Sequence, residues 1–360
     1  MLTVYTPEGE PLGIVENIVK AEWERKMYGA GKFEIEVPAT LDMLALLKHD
    51  RILVSNGEPG IIECIQFTRE DDAPVLIVSG CELDGVLKRR LMMQEEALDG
   101  VKERLVLEMI DVNCCKGDDR QIAALHVPVS QGRGEDMTID DAYKKQLDQV
   151  VEDTLEGGDL GIRVKWPSWE VEIFSGLDRT AAQTENPRAI LSVEGETLLT
   201  LEFEDDRSDA KNYVIVEAQS PGGAFTRYYG DAKGLERREY LVGAGSVEPV
   251  VTITYPPKEQ GGGKIVETSY SKGADEVGRR ELANRKEDAS LTGAVARNLV
   301  YRKDYDLGDK ITIESHELGI SQDVRITEVR EIYSEQGLEE IELVFGKKSS
   351  IKQLIRRIDR

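Results

Sequence analysis

The sequence is poor in the residues that most often carry catalysis, metal binding and covalent cross-linking. Only four cysteines and three histidines occur among 360 residues, and aromatic residues make up 6%. The cysteines form no CxxC pair, and no histidine stands at metal-ligand spacing from the Cys114-Cys115 pair. We therefore expect buried or idle thiols and no disulfide framework. These residues are Cys64, Cys81, Cys114, Cys115, His49, His126 and His316.

Long apolar segments and an excess of positive charge are also missing. No uninterrupted run of about 18 apolar residues occurs, and the start, MLTVYTPEGE, lacks the basic and then apolar pattern of a secretion signal. We expect neither membrane insertion nor export. The chain carries 69 acidic and 46 basic residues, a formal net charge of −23. This charge argues against binding to nucleic acid or to an anionic membrane, because both are negatively charged.

Sequence motifs of phosphate-binding and catalytic sites are equally scarce. The Gly-Lys steps at residues 31–32 and 263–264 lack the earlier glycine and the Ser/Thr of a phosphate-binding loop, and no G-x-S-x-G occurs. The densest carboxylate run, residues 202–206 (EFEDD), fits the paired carboxylates of a glycosidase or, equally well, a strand end entering a polar turn. We expect no catalytic, cofactor-binding or metal-binding residues.

Alternation of apolar and polar residues dominates the first part of the chain. Phe33, Ile35 and Val37 alternate with charged residues, which is typical of a strand with one wet face. Further strands are indicated at residues 51–54, 61–67 and 75–78, punctuated by Asn56-Gly57 and Gly80, and a short helix at 41–47. Several short strands at close spacing predict a barrel or a sandwich.

In the middle of the chain the spacing of apolar residues changes from that of strands to that of helices. Apolar residues of segments 98–112 and 139–151 fall on helical faces, which predicts a helical insert with an exposed loop at 131–137. Strand alternation returns from about residue 161, and a charged helix is expected at 274–297, after a linker-like loop at 256–263. The last β segment has the clearest pattern in the chain. Its apolar positions are Ile311, Ile313, Val324, Ile326, Val329, Ile341, Leu343 and Phe345.

The end of the sequence predicts a basic amphipathic helix. Ile351, Leu354, Ile355 and Ile358 share one helical face. Lysines and arginines make the same segment the one clearly basic patch of an acidic chain. Two interpretations stay open: the helix folds back on the core with a solvated charged face, or it docks on an acidic neighbour.

Several of these segments resemble siphophage and prophage tail proteins related to the baseplate-hub proteins of contractile phages. The match is most specific at residues 305–333 (YDLGDKITIESHELGISQDVRITEVREIY), closing on 342–346 (ELVFG), which looks like a unit of the second barrel of such hubs. Residues 93–158 and 256–263 show no such resemblance. The other matching pieces are residues 23–38 (WERKMYGAGKFEIEVP), 75–91 (VLIVSGCELDGVLKRRL) and 234–242 (GLERREYLV).

The resemblance implies an α+β, mainly β chain with two barrel-like tube domains of phage-tail-hub type and helical and α/β insertions. It implies a homotrimer, in which two similar barrels per subunit form a ring of six that matches the six-fold tail tube. It carries over no catalytic residue and no cofactor. The expected domains are a first barrel at 1–92, a mixed α/β insertion at 93–184, a second barrel at 185–348 with an insertion near 232–300, and the basic helix at 349–360.

The function that this resemblance implies is a structural hub of the tail tip or baseplate that joins the tail tube to tip proteins and lets DNA pass without specific binding. Expected partners are neighbouring tail-tube, distal tail and tip proteins, in a virion tail assembled in the bacterial host cytoplasm. If the ring encloses the DNA, acidic side chains should be enriched on its inner wall. The alternative is that the charge of −23 only keeps the protein soluble.

Two other functions stay open at this stage. A receptor-binding or glycan-binding tail module would be favoured by exposed aromatic residues in one pocket, for which Trp166/Trp169 and Tyr228-Tyr229 are the nearest candidates. A wall-cleaving tail enzyme stays open because fold does not fix function, but it is less favoured because carboxylate pairs alone carry no specificity.

Overall fold

A computed structural model describes most of the chain. The described residues form two compact units, one within residues 1–203 and 290–360 and one within residues 204–289. The predicted loop at 256–263 and the predicted basic helix at 349–360 lie outside the described residues. Those described are 2–70, 73–117, 119–139, 142–206, 210–243, 245, 247, 249–254, 265–284, 288–296, 298–317 and 319–345.

The larger unit begins with antiparallel strands and one short helix. The strands predicted at residues 51–54, 61–67 and 75–78 and the helix at 41–47 are confirmed. The helix begins after Thr40, whose hydroxyl oxygen accepts a hydrogen bond from the Met43 backbone N–H. The elements are β1 (Leu2–Tyr5), β2 (Pro11–Val15), β3 (Lys20–Lys26), β4 (Lys32–Pro38), α1 (Leu41–Leu46), β5 (Ile52–Ser55), β6 (Glu58–Glu70) and β7 (Ala73–Glu82).

Of the two turns predicted among these strands, the one at Asn56-Gly57 is confirmed and the one at Gly80 is not. Asn56 and Gly57 form the hairpin turn between β5 and β6, both with positive φ, as the Asn-Gly signal predicts. Gly80 was wrongly predicted to end a strand, because it lies inside β7. A Cβ on Gly80 would lie 1.8 Å from the Ile61 carbonyl oxygen and 2.8 Å from the Phe33 ring. Glycine is needed there for close packing across the sheet.

A mixed α/β segment follows the first strands. The two predicted helices begin later than expected, because residues 98–101 and 136–139 pair with each other as strands instead. The second helix ends before Gly157-Gly158, as predicted. The elements are a 3-10 segment (Leu83–Arg89), β8 (Leu98–Val101), α2 (Lys102–Ile110), a π-helical turn (Asp111–Cys115), β9 (Asp136–Ile139), α3 (Leu147–Leu155), β10 (Gly161–Lys165) and β11 (Glu170–Phe174).

The remaining strands return to the larger unit after the smaller one. The helix predicted at 274–297 ends at Asn284, and residues 288–295 form a strand instead, since they pair antiparallel with the last strand of the chain. The elements are β12 (Ile190–Leu191), β13 (Leu198–Asp206), β14 (Tyr213–Ser220), β15 (Gly223–Tyr229), a 3-10 turn (Gly234–Glu236), β16 (Glu239–Val242), β17 (Val250–Thr254), β18 (Ile265–Ser269), α4 (Tyr270–Asn284), β19 (Asp288–Val295), β20 (Lys310–Ser315), β21 (Ile320–Ser334) and β22 (Gly337–Phe345).

One large sheet joins the two ends of the chain. Among the described residues it has 13 strands, with the path β13-β19-β22-β21-β3-β4-β7-β6-β5-β1-β2, while β20 pairs with β21 and β12. The link between the ends is the pairing of β21 with β3, in which Glu331 lies opposite Trp23. A bulge between Ile326 and Glu328 shifts the register, which explains why Val329 follows Ile326 by three residues and still points inward.

The buried side chains of the first strands form one core. Trp23 on β3 and Phe33 on β4 are directly opposed in register and stack with ring centroids 4.7 Å apart. Leu2 and Val4 of β1 belong to the same cluster, so the sheet curls around this core. The predicted mainly β fold class with helical and α/β additions is confirmed, and barrel closure stays a prediction.

Candidate functional site

The junction between the N-terminal and C-terminal strands is built around a buried arginine. Arg25 follows Trp23 on the inward face of β3 and is 3% exposed. Its Nη2 lies 2.6 Å from a Glu331 carboxylate oxygen, and its Nη1 donates to the Tyr301 hydroxyl at 3.2 Å. Glu331 lies on β21, so the ion pair joins segments that are far apart in sequence. Sequence reasoning missed Arg25, although its period-two spacing from Trp23 places it on the buried face.

A second buried ion pair fixes the turn before β20. Asp309 is 1% exposed, and its Oδ2 accepts hydrogen bonds from Arg179 Nε at 2.7 Å and from the Asp306 backbone N–H at 2.9 Å. Its Oδ1 accepts from the Leu177 backbone N–H at 2.7 Å. A single carboxylate therefore ties the Gly-Asp turn of the last β segment to residues 177–179.

The backbone around the Gly-Asp step requires glycine at two positions, 308 and 176. Gly308 has a positive φ of 88°, which favours glycine. A Cβ on Gly176 would lie 2.0 Å from the Gly308 carbonyl carbon. The two backbones therefore cross at a distance that only glycine permits.

One face of the large sheet is rich in carboxylates. The inward residues of β3 and β4 alternate with half-buried or exposed charged residues, and the register places these beside charged residues of β21 and β22. Arg330 lies 3.2 Å from both a Glu22 and a Glu342 carboxylate oxygen. We call this surface the acidic face. Its acidic residues are Glu22, Glu24, Glu34, Glu36, Glu328, Glu340 and Glu342, and its basic residues are Lys20, Lys26, Lys32 and Arg330.

Two carboxyl groups lie at the end of β7, the partly buried Glu82 and the buried Asp84. Asp84 is 4% exposed, and burial, with a further contribution from the charge of Glu152, raises its pKa from 3.8 to about 7. Burial and the neighbouring Asp84 carboxylate also raise the pKa of Glu82, against the opposing effect of Arg25. Near neutral pH, part of the Asp84 carboxyl groups therefore hold a proton that an exposed aspartic acid would have lost.

Replacing Asp84 with asparagine should therefore stabilise the protein at alkaline pH. The folded-state pKa of Asp84 is raised, so its ionised form destabilises the fold most above pH 7, and this cost shrinks as pH falls towards 3.8. We expect Asp84→Asn to raise the free energy of unfolding by about 1–3 kcal/mol at pH 8, and by less at pH 5. Denaturant titrations of both chains at the two pH values measure this. An equal difference at both pH values would contradict it.

The cysteines are free thiols. Cys114 is fully buried in the core of the α/β segment, and burial raises its pKa to about 12. Burial also raises the pKa of Cys81 to about 12. These two groups are therefore protonated at neutral pH and poor nucleophiles. Within the described ranges, no group of three or more His, Cys, Asp or Glu residues is arranged to hold a metal ion.

The candidate aromatic clusters have structural contacts. Trp169 is 5% exposed, and its Nε1 donates to the Pro7 carbonyl oxygen at 2.9 Å. The Trp166 ring packs edge-on against both Trp169 and Tyr5. The Tyr229 hydroxyl donates to Asp275 at 2.6 Å. Of these residues, the two tryptophans and Tyr229 serve packing, and they form no open aromatic pocket.

The other features singled out in the sequence do not assemble into a reactive site. The carboxylate run at 202–206 lies at the end of β13, and the side chains of 204–206 lie outside the described residues. A cavity of about 640 Å³ opens beside Trp23 and Tyr333, and its lining contains no histidine or cysteine. Of the helices in the described segments, none combines the length and apolar character that a membrane crossing requires.

The fold is similar to that of two solved phage tail proteins. The tail protein from Neisseria meningitidis MC58 matches with a TM-score of 0.55 at 15% sequence identity, over 97% of each chain. The 43 kDa tail protein of prophage MuSo2 from Shewanella oneidensis matches with a TM-score of 0.51 at 10% identity, over 97% of this chain and 98% of that one. No curated protein sequence matches the chain.

The family follows from the sequence itself. The model of the Siphovirus ReqiPepy6 Gp37-like protein family matches residues 1–347. The chain belongs to this family of siphovirus tail proteins. The resemblance to siphophage and prophage tail proteins that the sequence segments indicated is confirmed, and the chain is a phage tail or baseplate protein.

Proposed function

We propose that this chain is a structural hub of the tail tip or baseplate, three copies of which form a ring that joins the tail tube to the tip proteins and lets DNA pass. The observation that carries the proposal is a single sheet that runs from β13 through β19, β22, β21, β3, β4 and β7 to β6. The end strand β13 has an edge that no described strand covers, and β6, from which the sheet continues to β5, has such an edge beyond its short pairing with β5.

The free edge of β6 begins where β5 ends. Strand β5 pairs with β6 only from Glu58 to Ile61, so residues 63–70 have β7 as their one strand partner in the described part of the chain. Phe67 lies in this free stretch, opposite the core residue Leu76, yet it is 58% exposed. At the other end, β13 pairs only with β19 among the described strands, and its Leu199 is 59% exposed. Uncovered apolar edge strands mark pairing surfaces.

Two different edges on one sheet suit a head-to-tail ring. If β6 of one copy meets β13 of the next, each contact is heterologous, and three such contacts close when the rotation between copies is 120°. Each copy would contribute its N-terminal and its C-terminal strands as two similar halves. Three copies would then present six such halves, which fits a six-fold tube.

Replacing Phe67 with glutamate should block this assembly. A charge on a free strand edge prevents pairing with another strand, so we expect at least a tenfold loss of complete tails, equivalent to about 1.4 kcal/mol or more. The matched control is Leu41→Glu on α1, a change at a leucine that is 85% exposed and outside both edges. Electron microscopy of tails from complemented phage measures both. Normal tail numbers with a correctly folded Phe67→Glu chain would contradict the head-to-tail contact.

The acidic face is the proposed inner wall of the ring. A wall with excess carboxylates repels the phosphates of passing DNA, whereas a basic wall would hold them by releasing their counterions. The competing explanation, that the charge of −23 only maintains solubility, requires no particular distribution of carboxylates.

Charge reversal on the acidic face should therefore slow DNA delivery. Glu22 and Glu34 are cross-strand neighbours on β3 and β4. We expect the double change to lysine to leave tails intact and to reduce the rate of DNA ejection at least about tenfold at low salt, with recovery at high salt. The same double change at Glu8 and Glu10, exposed residues around the first turn, is the control. Equal ejection rates for the two variants would leave only the solubility explanation.

The proposal includes the expected surroundings of the hub. Its partners are the neighbouring tail-tube, distal tail and tip proteins, and assembly takes place in the cytoplasm of the bacterial host before the tail joins the virion. The hub acts by holding its neighbours in register, and the proposal assigns no catalytic residue and no cofactor to it.

A further inference from the structure

A cavity opens at one end of the curled sheet of the larger unit. Its volume is about 640 Å³, and it lies where strands from both parts of the chain end, such as β5 at Ser55 and β21 at Ser334. This volume is typical of sites that bind small molecules, and the mouths of β-barrels are common places for such sites. The apolar wall of the cavity is formed by Leu2, Ile18, Val19, Ala21, Trp23 and Pro38.

The polar and ionisable residues of the lining indicate the charge of a suitable ligand. The Tyr333 hydroxyl accepts a hydrogen bond from Asn56 Nδ2 at 2.9 Å and donates to Glu331 at 2.8 Å, so its hydrogen is already engaged. Glu335 is exposed, and the lining, all of whose residues the structure describes, contains no lysine, arginine or histidine. With no cation to offset the loss of hydration, burying an anion there would be costly. The cavity therefore suits an uncharged molecule.

One buried donor of the lining has no acceptor. Trp23 is 1% exposed, and its Nε1 has no hydrogen-bond partner among the described residues. Phe33 covers one face of the indole ring, and a Cβ on Gly60 would lie 3.1 Å from Trp23 Cη2. Buried donors without a partner are rare, and a buried tryptophan N–H usually has one. The cavity that Trp23 lines gives such a partner space to bind.

We propose that the cavity binds a small, uncharged molecule in which a carbonyl oxygen adjoins an apolar group. The carbonyl oxygen accepts the hydrogen bond of Trp23 Nε1, and the apolar group packs on the wall that includes Leu2 and Val19. A ketone, an ester or an amide meets both requirements, whereas a hydrocarbon meets only the second. This site is additional to the structural role proposed above and does not depend on the number of copies in the tail.

Titration of the isolated full-length chain with acetophenone and with ethylbenzene tests the site directly. The two probes have similar size and shape, and only acetophenone has a carbonyl oxygen. We expect acetophenone to bind at least about tenfold more tightly, equivalent to about 1.4 kcal/mol, and to shift the NMR signal of the Trp23 indole N–H. The indole signals of Trp166 and Trp169, which lie outside the lining, should stay in place. Equal affinities for the two probes, or an unshifted Trp23 signal, would overturn the proposal.

Two variants separate the donor from the space. Trp23→Phe removes the N–H and keeps an aromatic ring, so the preference for acetophenone should disappear. Ile18→Trp fills the cavity from its half-buried wall and should abolish binding of both probes. The matched control is Leu12→Trp on β2, at a leucine that is 40% exposed and outside the lining, which should bind both probes as the unchanged chain does. An Ile18→Trp chain that still binds acetophenone would contradict the proposal even if Trp23→Phe failed to fold.

A reconstruction of purified tails distinguishes a small ligand from a protein partner. We expect a cavity that holds a small molecule or stays open to solvent. A segment of a neighbouring tail protein inside the cavity would overturn the proposal, because the site would then be a protein contact. Neither result bears on the proposed ring, which the number of copies around the axis tests separately.

Discussion

Replacing Asp309 with alanine is expected to lower the free energy of unfolding by about 3–5 kcal/mol, because the change leaves the Arg179 guanidinium buried without its partner. It also removes the acceptor of the Leu177 and Asp306 backbone N–H groups, and buried donors without acceptors add to the loss. Denaturant unfolding of the two chains at neutral pH measures the difference.

The matched control is the exposed Arg104–Glu108 pair on α2. Its side chains are 49% and 37% exposed, so Glu108→Ala should cost no more than about 0.5 kcal/mol. If Asp309→Ala also cost less than about 1 kcal/mol, the buried ion pair would not be what fixes the Gly-Asp turn.

Replacing Trp23 with alanine is expected to cost a similar amount, about 3–5 kcal/mol, because it opens a cavity where the ring stacks on Phe33. Within the described structure the Trp23 Nε1 atom has no hydrogen-bond partner. Trp23→Phe keeps an aromatic ring and removes the unpaired donor together with part of the ring volume, so it should cost less than Trp23→Ala, about 1–2 kcal/mol. Denaturant unfolding compares the two variants, and equal losses would show that ring stacking is not the stabilising contact.

Local patterns in the sequence predicted the parts of the fold that local chemistry determines. The last β meander follows from the alternating apolar residues between Ile311 and Phe345. The hairpin between β5 and β6 follows from Asn56-Gly57, because few other residues adopt two successive positive φ values.

The errors arise where pairing between distant segments decides the structure. Residues 288–295 form a strand because β22 lies beside them, although the charged stretch before them favours a helix. In the sequence alone Gly80 indicates a turn. In the structure it is needed because the Phe33 ring and the Ile61 carbonyl oxygen lie too close for a side chain. Periodicity describes a segment and contains no information about its neighbours in the sheet.

The buried polar contacts were beyond sequence reasoning for the same reason. Asp309 meets Leu177 and Arg179, which lie 132 and 130 residues away in sequence. The position of Arg25 on an inward face was visible in the alternation, but its pairing with Glu331 depends on the contact between β3 and β21. The acidic face likewise exists only once four strands from both ends of the chain lie side by side.

The proposed function requires this chain to form a three-fold ring on the tail axis. A cryo-electron microscopy reconstruction of the intact tail tip tests it most directly, because it counts the copies and shows which surface faces the axis. We expect three copies, with β6 of one beside β13 of the next and the carboxylates of β3, β4, β21 and β22 lining the opening. Six copies or a single copy around the axis, or an inner wall that is neutral or basic, would contradict it.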